Sequence, residues 1–414
     1  MNLAAGQALR VAVIAGLLSG GFLPGEGLLP GGGLRAADGG LEIADGVVVK
    51  FGPDGELIVL DGLIVGGQAV CTSASDDARG GPIDATPATP APGDWRGLRL
   101  ERSAPASLTR LDGLQIFYAG RGGPAFTLRS TLIPLGGFEV GRSAGIGLRV
   151  TSGTSSRLRD LILTGNQVGF SADAGSGAVI QSSVITGNTL FGLQADPAFG
   201  PGPATSVEAS GVWWGHPSGP LDAGDDRAAG GLYNPDGLGN AVSDGIVYQP
   251  VAGAVPLFGL ALSPVGGGVI SVPSATFRLR GPTAVAVRLS QDPSFAGVPF
   301  QPLSATQTIS LSPPDGLKTI HAEFQAATGN TAVISTEVRL DSTGPALAVA
   351  RPAAGEVLTR PLTVLADASD ASGVARVEFY LDGVLLFTDT TNTFSFYWDI
   401  RAAGDGPHVL RVVA

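Results

Sequence analysis

Leu161-Ile162-Leu163-Thr164-Gly165-Asn166 is followed by Gly169-Phe170-Ser171-Ala172-Asp173, and the same phrase is then written again as Ser183-Val184-Ile185-Thr186-Gly187-Asn188 and Gly192-Leu193-Gln194-Ala195-Asp196. The two Thr-Gly-Asn triplets stand 22 residues apart, and the Gly-apolar pairs step from Gly147-Leu148 by 22 to Gly169-Phe170 and by 23 to Gly192-Leu193. A period in the low twenties, with short alternating apolar runs and Gly or Asn at the corners, is the pattern of a solenoid. One such unit cannot bury its own apolar face. Stacked about 4.8 Å from a neighbour, it satisfies its backbone and covers that face. Helical solenoids have longer repeats, and the Leu spacing and asparagine ladder of a leucine-rich repeat are not read here. The spacing predicts a parallel β-helix with three short strands per turn.

Working outward, 414 residues predict two to four domains. Gly 63 and Pro 30 with 15% charged residues describe a turn-dense, all-β chain, and no sustained 3.6-residue apolar stripe follows the first thirty residues. A net charge of −11 argues against a nucleic-acid partner, which needs a basic face. Cys71 is the only cysteine, so no intramolecular disulfide forms; it reads as a small buried strand residue, since a reactive thiol needs a basic neighbour. Arg10 precedes the apolar run Val11–Leu18, which has the length of a signal-peptide core, so residues 1–39 read as a signal peptide or an N-terminal cap. No run reaches the ~18 apolar residues of a membrane span.

From Val47 to Val65 apolar runs are broken by Asp54-Gly55 and Asp61-Gly62, turn pairs in which Gly tolerates positive φ and Asp bonds its own backbone. A proline-bearing loop, Ser73 to Asp94, is expected on the surface. Strands resume at Trp95–Leu100 and continue through Ile116-Phe117-Tyr118 and Leu132-Ile133. Three pieces here carry a resemblance: Val-Val-Lys-Phe-Gly at 48–52, Cys-Thr-Ser at 71–73 with Asp76-Asp77, and Pro-Gly-Asp-Trp at 92–95. A fourth is Val212-Trp213-Trp214-Gly215-His216-Pro217-Ser218-Gly219-Pro220, before a last strand near Tyr248-Gln249-Pro250. Residues 40–250 thus resemble secreted bacterial right-handed parallel β-helix proteins, the Trp-Trp-Gly block being the most specific match. The usual Asn/Asp-rich stretch of the opening loop is replaced by Asp84-Ala85-Thr86-Pro87, which puts a calcium site there in doubt.

Beyond Pro250 period-two alternation takes over, as at Val285, Val287 and Leu289 and at Ile320, Ala322 and Phe324. Residues 251–344 resemble an Ig/fibronectin-like β-sandwich. Residues 345–414, with Val377–Gly383, Phe394, Phe396, Trp398 and His408–Val412, resemble a bacterial Ig-like domain, read as incomplete at Ala414, with Trp398 in its core. The fold class expected is all-β: a right-handed parallel β-helix followed by two Ig-like β-sandwich domains.

No serine-hydrolase elbow, paired-Cys zinc spacing or phosphate loop is read. His216, His321 and His408 fall in three different units, and His216 reads as a loop hydrogen-bonder. Stacking supplies the catalytic candidates. Thr151, Asp173 and Asp196 share one column, and Arg149, Ser171 and Gln194 another. Carboxylates on successive rungs, about 5 Å apart, suit a shared proton, a Ca²⁺ or an acid/nucleophile pair on a sugar; as corner residues they need no such role. Asp160, placed in the preceding strand beside Arg157 and Arg159, is either a substrate clamp or part of a solvated ion-paired face. The Asn-Thr-Asp and Gly-His-Gly blocks of pectin-type hydrolases on this fold do not occur. Acidic loops supply calcium candidates: Asp222, Asp225 and Asp226, with Asp236 and Asp244 downstream, and Asp367 and Asp370 near Asp341. Solvated turns explain them equally well, since no EF-hand spacing is present.

The composite expectation is a non-catalytic, extracellular or cell-surface β-helix/Ig-like protein acting in adhesion, envelope structure or glycan binding. The alternative is a polysaccharide-active lyase, hydrolase or epimerase using the β-helix flank. Exposed aromatics beside the Asp173 column favour an enzyme or glycan binder, and their absence favours a stalk. A copper-delivery role is disfavoured, because Met1 is the only Met and soft ligands are scarce.

Overall fold

The computed structural model describes residues 34–37, 40–59, 62–83, 87–101, 109–129, 134–151, 156–195, 207–391 and 393–414. The apolar run Val11–Leu18, Asp61, the 84–86 segment, Leu132-Ile133 and Asp196 lie outside them. The chain divides into two compact units, one holding the chain up to Leu260 with 280–287 and 324–332, the other the remainder.

In the first unit, short strands recur in a fixed order. A first sheet takes Val48–Phe51, Ala69–Ser73, Leu114–Phe117, Glu139–Gly141, Ile162–Thr164 and Val184–Thr186. A second takes Glu56–Val59, Gly97–Leu100, Phe126–Leu128, Ile146–Val150, Val168–Ala172 and Phe191–Ala195. A third takes Leu135–Gly136, Arg157–Arg159, Val179–Gln181, Val207–Ser210 and Ile246–Val247. Every pairing within these sheets is parallel, and the repeat sets the register: Ile162 faces Val184, and Phe170 faces Leu193. Gly40–Ile43 pairs in parallel with Leu63–Val65 and antiparallel with Leu34–Ala37.

The inward side chains form one continuous apolar cluster from Leu41 to Tyr248. Each large side chain so buried stabilises the stack by about 1.5–3 kcal/mol. Trp95 lies within it, stacked on Phe51 at 4.3 Å, with its indole N–H donating to Phe117 O at 2.7 Å. Cys71 is buried in its strand, and burial pushes its thiol up to about 12, which keeps it protonated and inert.

The corners explain the Thr-Gly-Asn phrase. Tyr118, Arg142, Gly165 and Gly187 each follow a first-sheet strand and turn the chain with φ of 59°, 55°, 67° and 67°. Gly takes this left-handed conformation freely; Tyr118 and Arg142 do so at a cost of about 1–2 kcal/mol each. They are offset by their own contact, Arg142 Nη1 donating to Tyr118 Oη at 2.6 Å. The asparagine after the turn is buried. Asn188 Oδ1 accepts from Asn166 N at 3.0 Å and Nδ2 at 3.1 Å, and Asn188 Nδ2 donates to Leu163 O at 3.0 Å. Asn240 Oδ1 accepts from Asn188 N at 3.0 Å, extending the series. An asparagine ladder is therefore present, contrary to the sequence reading. Two Asn at a repeat interval already mark it, but the third arrives 52 residues later.

That delay has a structural cause. Trp213 bridges to Val184, Leu193 to Val242, and Val207–Ser210 pairs with Ile246–Val247, so residues 207–247 add strands to all the stacks with a long excursion between Trp214 and Gly239. Trp214 is buried in the core. Trp213 and Val184 face outward and are covered by Phe258, Ala252 and Val255.

The loop after Ser73 is less superficial than its prolines suggest. Pro87 and Pro92 flank an exposed stretch, but Ser73 and Asp76 are buried. The buried ammonium of Lys50 donates to Asp76 O at 2.6 Å and to Gly81 O. A lysine thus satisfies the carbonyls of this loop from within.

From Ala261 the sheets change character. Ala261–Pro264, Ser274–Arg280 and Thr306–Ser310 form one sheet; a second runs Val269–Ile270, Thr331–Leu340, Gly316–Ala326, Ala284–Ser290 and Gln301–Pro302. Ile320, Ala322, Phe324, Val287 and Leu289 are buried as their alternation predicts, whereas Val285 is 53% exposed. The last sheets are antiparallel: Ala346–Arg351, Leu362–Ser369 and Ser395–Trp398, then Val384–Asp389, Val377–Leu381 and Leu410–Val413. Their core is Val364, Val377, Phe379, Phe394 and Trp398. Among the described residues, no helix is long and apolar enough to cross a membrane.

Candidate functional site

The second sheet presents the flank on which the catalytic candidates were placed. Register puts Arg99, Thr127, Arg149, Ser171 and Gln194 in one outward column. Beside it Glu101, Arg129, Thr151 and Asp173 succeed one another, each amide bonded to the rung before. Arg149 Nε donates to Asp173 Oδ1 at 2.7 Å, across one rung and one column. Glu56–Arg99 at 3.1 Å, Arg99–Glu101 at 3.3 Å and Glu101–Arg129 at 3.3 Å continue the pattern. These pairs are half-exposed, worth a few tenths to ~1 kcal/mol each. Together they lace the rungs.

Acid/nucleophile chemistry on a sugar needs two carboxyls roughly 5–9.5 Å apart. Glu101, the other described carboxylate of Asp173's column, lies three rungs away, about 14 Å at ~4.8 Å per rung. Asp196 lies outside the described residues. Asp160 follows the strand Arg157–Arg159 rather than lying in it. It occupies a second left-handed corner series, Gly137, Asp160, Ser182 and Gly211, with φ of 71°, 57°, 47° and 63°. Burial raises its carboxyl above the ordinary value, with Arg159 opposing and Asp112 assisting. Asp160 and Asp173 thus end strands of different sheets.

One spacing was missed in the sequence. Gly141-Arg142-Ser143-Ala144-Gly145 has the Gly-x-Ser-x-Gly form of a nucleophile elbow. Ser143 is buried at the corner, and its N–H donates to Asn166 Oδ1 at 3.1 Å. A serine nucleophile needs a base, and the histidines are engaged elsewhere. His216 Nδ1 meets Ser218 Oγ at 2.9 Å within its own loop, His321 packs on Phe295, and His408 Nδ1 meets Asp382 Oδ2 at 2.7 Å. The serine closes a corner. Nearby, Glu139 is raised by burial, against an amide bond from Gln115 at 2.8 Å and the charges of Arg79 and Arg142; nothing in sequence spacing brings these together.

The excursion between Trp214 and Gly239 carries the first calcium candidates, and the structure sorts them. Asp225 is exposed and held by Arg227, through Nε and Nη2 at 2.7 Å each. Asp222 is buried; its Oδ2 accepts from Tyr248 Oη at 3.0 Å. Burial pushes Asp222 up to about 6, opposed by the Tyr248 bond and reinforced by the charges of Asp226 and Asp244. Asp226 Oδ2 accepts from Gly245 N at 3.2 Å. Asp222, Asp226 and Asp244 are therefore neighbours, while Asp225 faces away. Tyr248 had no sequence signal beyond closing the last strand. Of the second set, Asp341 and Asp370 meet at the hydroxyl of Ser372, whose N–H donates to Asp370 Oδ1 at 2.7 Å. Asp367 lies mid-strand opposite Ala348 and does not join them. Among the described residues, no three His, Cys, Asp or Glu side chains converge closely enough to hold a metal ion by themselves.

Against this geometry, comparisons with known proteins reach one part of the chain firmly. Among curated proteins none matches. A solved structure of Clostridium thermocellum CbhA fibronectin(III)-like modules aligns at 19% identity, covering 37% of this chain and 83% of that one, with a TM-score of 0.25. Residues 345–412 match the family described as Bacterial Ig domain, in agreement with the resemblance drawn from Val377–Gly383 and His408–Val412.

Proposed function

We propose that the chain is a non-catalytic, extracellular or cell-surface protein. Residues 40–250 form a right-handed parallel β-helix that acts as a stalk, and 251–344 and 345–414 are Ig-like modules in series with it, serving adhesion or envelope structure. The observation that carries this reading is the second-sheet flank. Its outward columns are an Arg/Glu/Asp ladder in which Asp173 is bonded to Arg149, with no aromatic platform among the column residues. Sugar-binding flanks depend on exposed rings and on carboxyls free to act. The parallel pairing at the repeat interval and the Bacterial Ig domain match support the architecture. Fold does not fix function, so the test is functional. The full chain, fluorescently labelled, is incubated with cell envelopes and insoluble polysaccharides. The reading predicts binding to envelopes without release of soluble saccharide, unchanged in Asp173→Asn. Saccharide release by the wild type that disappears in Asp173→Asn would replace it with a polysaccharide-active enzyme.

A further inference from the structure

Among the described residues, no cationic side chain pairs with the carboxylates of Asp222 and Asp226 in the Trp214–Gly239 excursion, and backbone N–H groups of Gly224 and Gly245 and the Tyr248 hydroxyl are the donors they meet. The charges of Asp226 and Asp244 both bear on Asp222. The nearest cation in sequence, Arg227, is turned outward, its guanidinium paired with Asp225 and lying 4.7 Å over the Tyr233 ring. Asp222 is 3% exposed, and its Oδ1, like Asp226 Oδ1, is buried without a hydrogen-bond partner. An unpaired buried carboxylate oxygen costs about 1–3 kcal/mol or more. Two of them within one short loop call for a donor or a cation.

The backbone is shaped around the same three groups. A β-carbon built on Gly224 would sit 1.8 Å from Asp244 Oδ1, and one on Gly231 1.8 Å from Asp226 Oδ1. Glycine at these two places leaves room for the carboxylates and brings backbone close to them. Tyr248 Oη fixes Asp222 through Oδ2, and Gly245 N fixes Asp226 through Oδ2. In both residues, then, one oxygen is anchored and the other is left over.

We propose that this loop binds a divalent cation, calcium by preference. Asp222 Oδ1 and Asp226 Oδ1 are its side-chain ligands, Asp244 lies at the rim, and backbone carbonyls and water complete the shell. All available donors are oxygens, which selects a hard cation over zinc or copper. Calcium accepts irregular shells of carbonyl and water, whereas magnesium demands near-ideal octahedral geometry. Because fewer than three carboxylates ligate directly, the affinity expected is that of extracellular modules, about 0.1–1 mM. Bound metal would tie the excursion to the last strand, Ile246–Val247, and so close the end of the stack.

The test uses the full chain. Terbium luminescence sensitised by Tyr248 and Trp214 reports occupancy, calcium displaces the terbium, and the thermal midpoint is followed with EDTA or about 10 mM Ca²⁺. The expected result is sensitised emission and a calcium-dependent rise in midpoint in the wild type. Both are lost in Asp226→Asn, weakened in Asp244→Asn, and intact in Asp225→Asn. Asp226→Asn keeps the shape of the side chain, and its midpoint in EDTA shows separately whether it folds. Absence of both signals in the wild type, or identical signals in the wild type and Asp226→Asn, would overturn the proposal and leave water as the partner of the two oxygens.

Discussion

Replacing Asn188 by Ala removes the middle of the asparagine ladder, and the cost can be worked from its bonds. The carboxamide accepts from Asn166 N and Nδ2 and donates to Leu163 O and to Asn240 Oδ1, which keeps its bond from Asn188 N when the side chain is lost. Asn166 is buried, and Nδ2 keeps its bond to Val140 O at 3.1 Å, so it is not stranded. Asn166 N and Leu163 O, both on buried residues, lose these partners. At roughly 1–3 kcal/mol per buried group left unpaired, the change costs about 3–5 kcal/mol. That is a large part of the ~5–15 kcal/mol of a typical domain. Three of the four tryptophans, Trp95, Trp213 and Trp214, belong to the first unit, so in a Trp398→Phe background urea unfolding followed by tryptophan emission reads it. The midpoint should fall steeply at unchanged slope. Gln194→Ala, on the outward column, should stay within about 0.5 kcal/mol of wild type. A loss below about 1 kcal/mol in Asn188→Ala would refute the ladder as a structural spine.

Lys50→Met should leave Asp76 O and Gly81 O without their donor, costing about 2–3 kcal/mol locally and exposing residues 77–83 to limited proteolysis before the rest of the unit; unchanged cleavage kinetics would contradict it. His408 donates from both ring nitrogens, to Asp382 Oδ2 and Gly404 O at 2.7 Å each, and these contacts raise it above its ordinary 6.5. Its contribution is therefore present below pH 6.5 and lost as pH rises through the raised folded value, so the last sandwich should melt lower at pH 8–9 than at pH 5–6, a dependence that His408→Gln removes. Asp222 is also raised, so in metal-free protein stability should fall as pH climbs from 3.8 through about 6, where folding forces a buried charge; Asp222→Asn should flatten that slope in a thermal-melt series.

The parallel register was legible because stacking demands it. Once Leu163 and Ile185 sit at equivalent places, Arg149, Ser171 and Gln194 must share a column, and they do. What the column alone could not give was the diagonal. Asp173 meets Arg149, a neighbour in the next column, because a long guanidinium reaches across a rung where a short Thr151 does not. Local charge density placed Asp225 with Asp222 and Asp226. Asp225 instead goes to Arg227 two residues on, while the charge of the distant Asp244 bears on Asp222. Lys50 looked like one more strand residue; only the fold of the following loop shows that its ammonium serves the carbonyls of Asp76 and Gly81. Asn240 was hidden by the excursion that separates it from Asn188.

In the proposed function the flank laces a stalk and cuts nothing. Its most direct test is the release of reducing ends and unsaturated uronates when the purified full chain is incubated with acidic and neutral polysaccharides, with and without Ca²⁺, beside Asp173→Asn and Arg149→Ala. The account predicts no release above buffer from any of the three proteins, with Arg149→Ala lowering the thermal midpoint only slightly, as a half-exposed ion pair should. Turnover by the wild type that Asp173→Asn abolishes would contradict it.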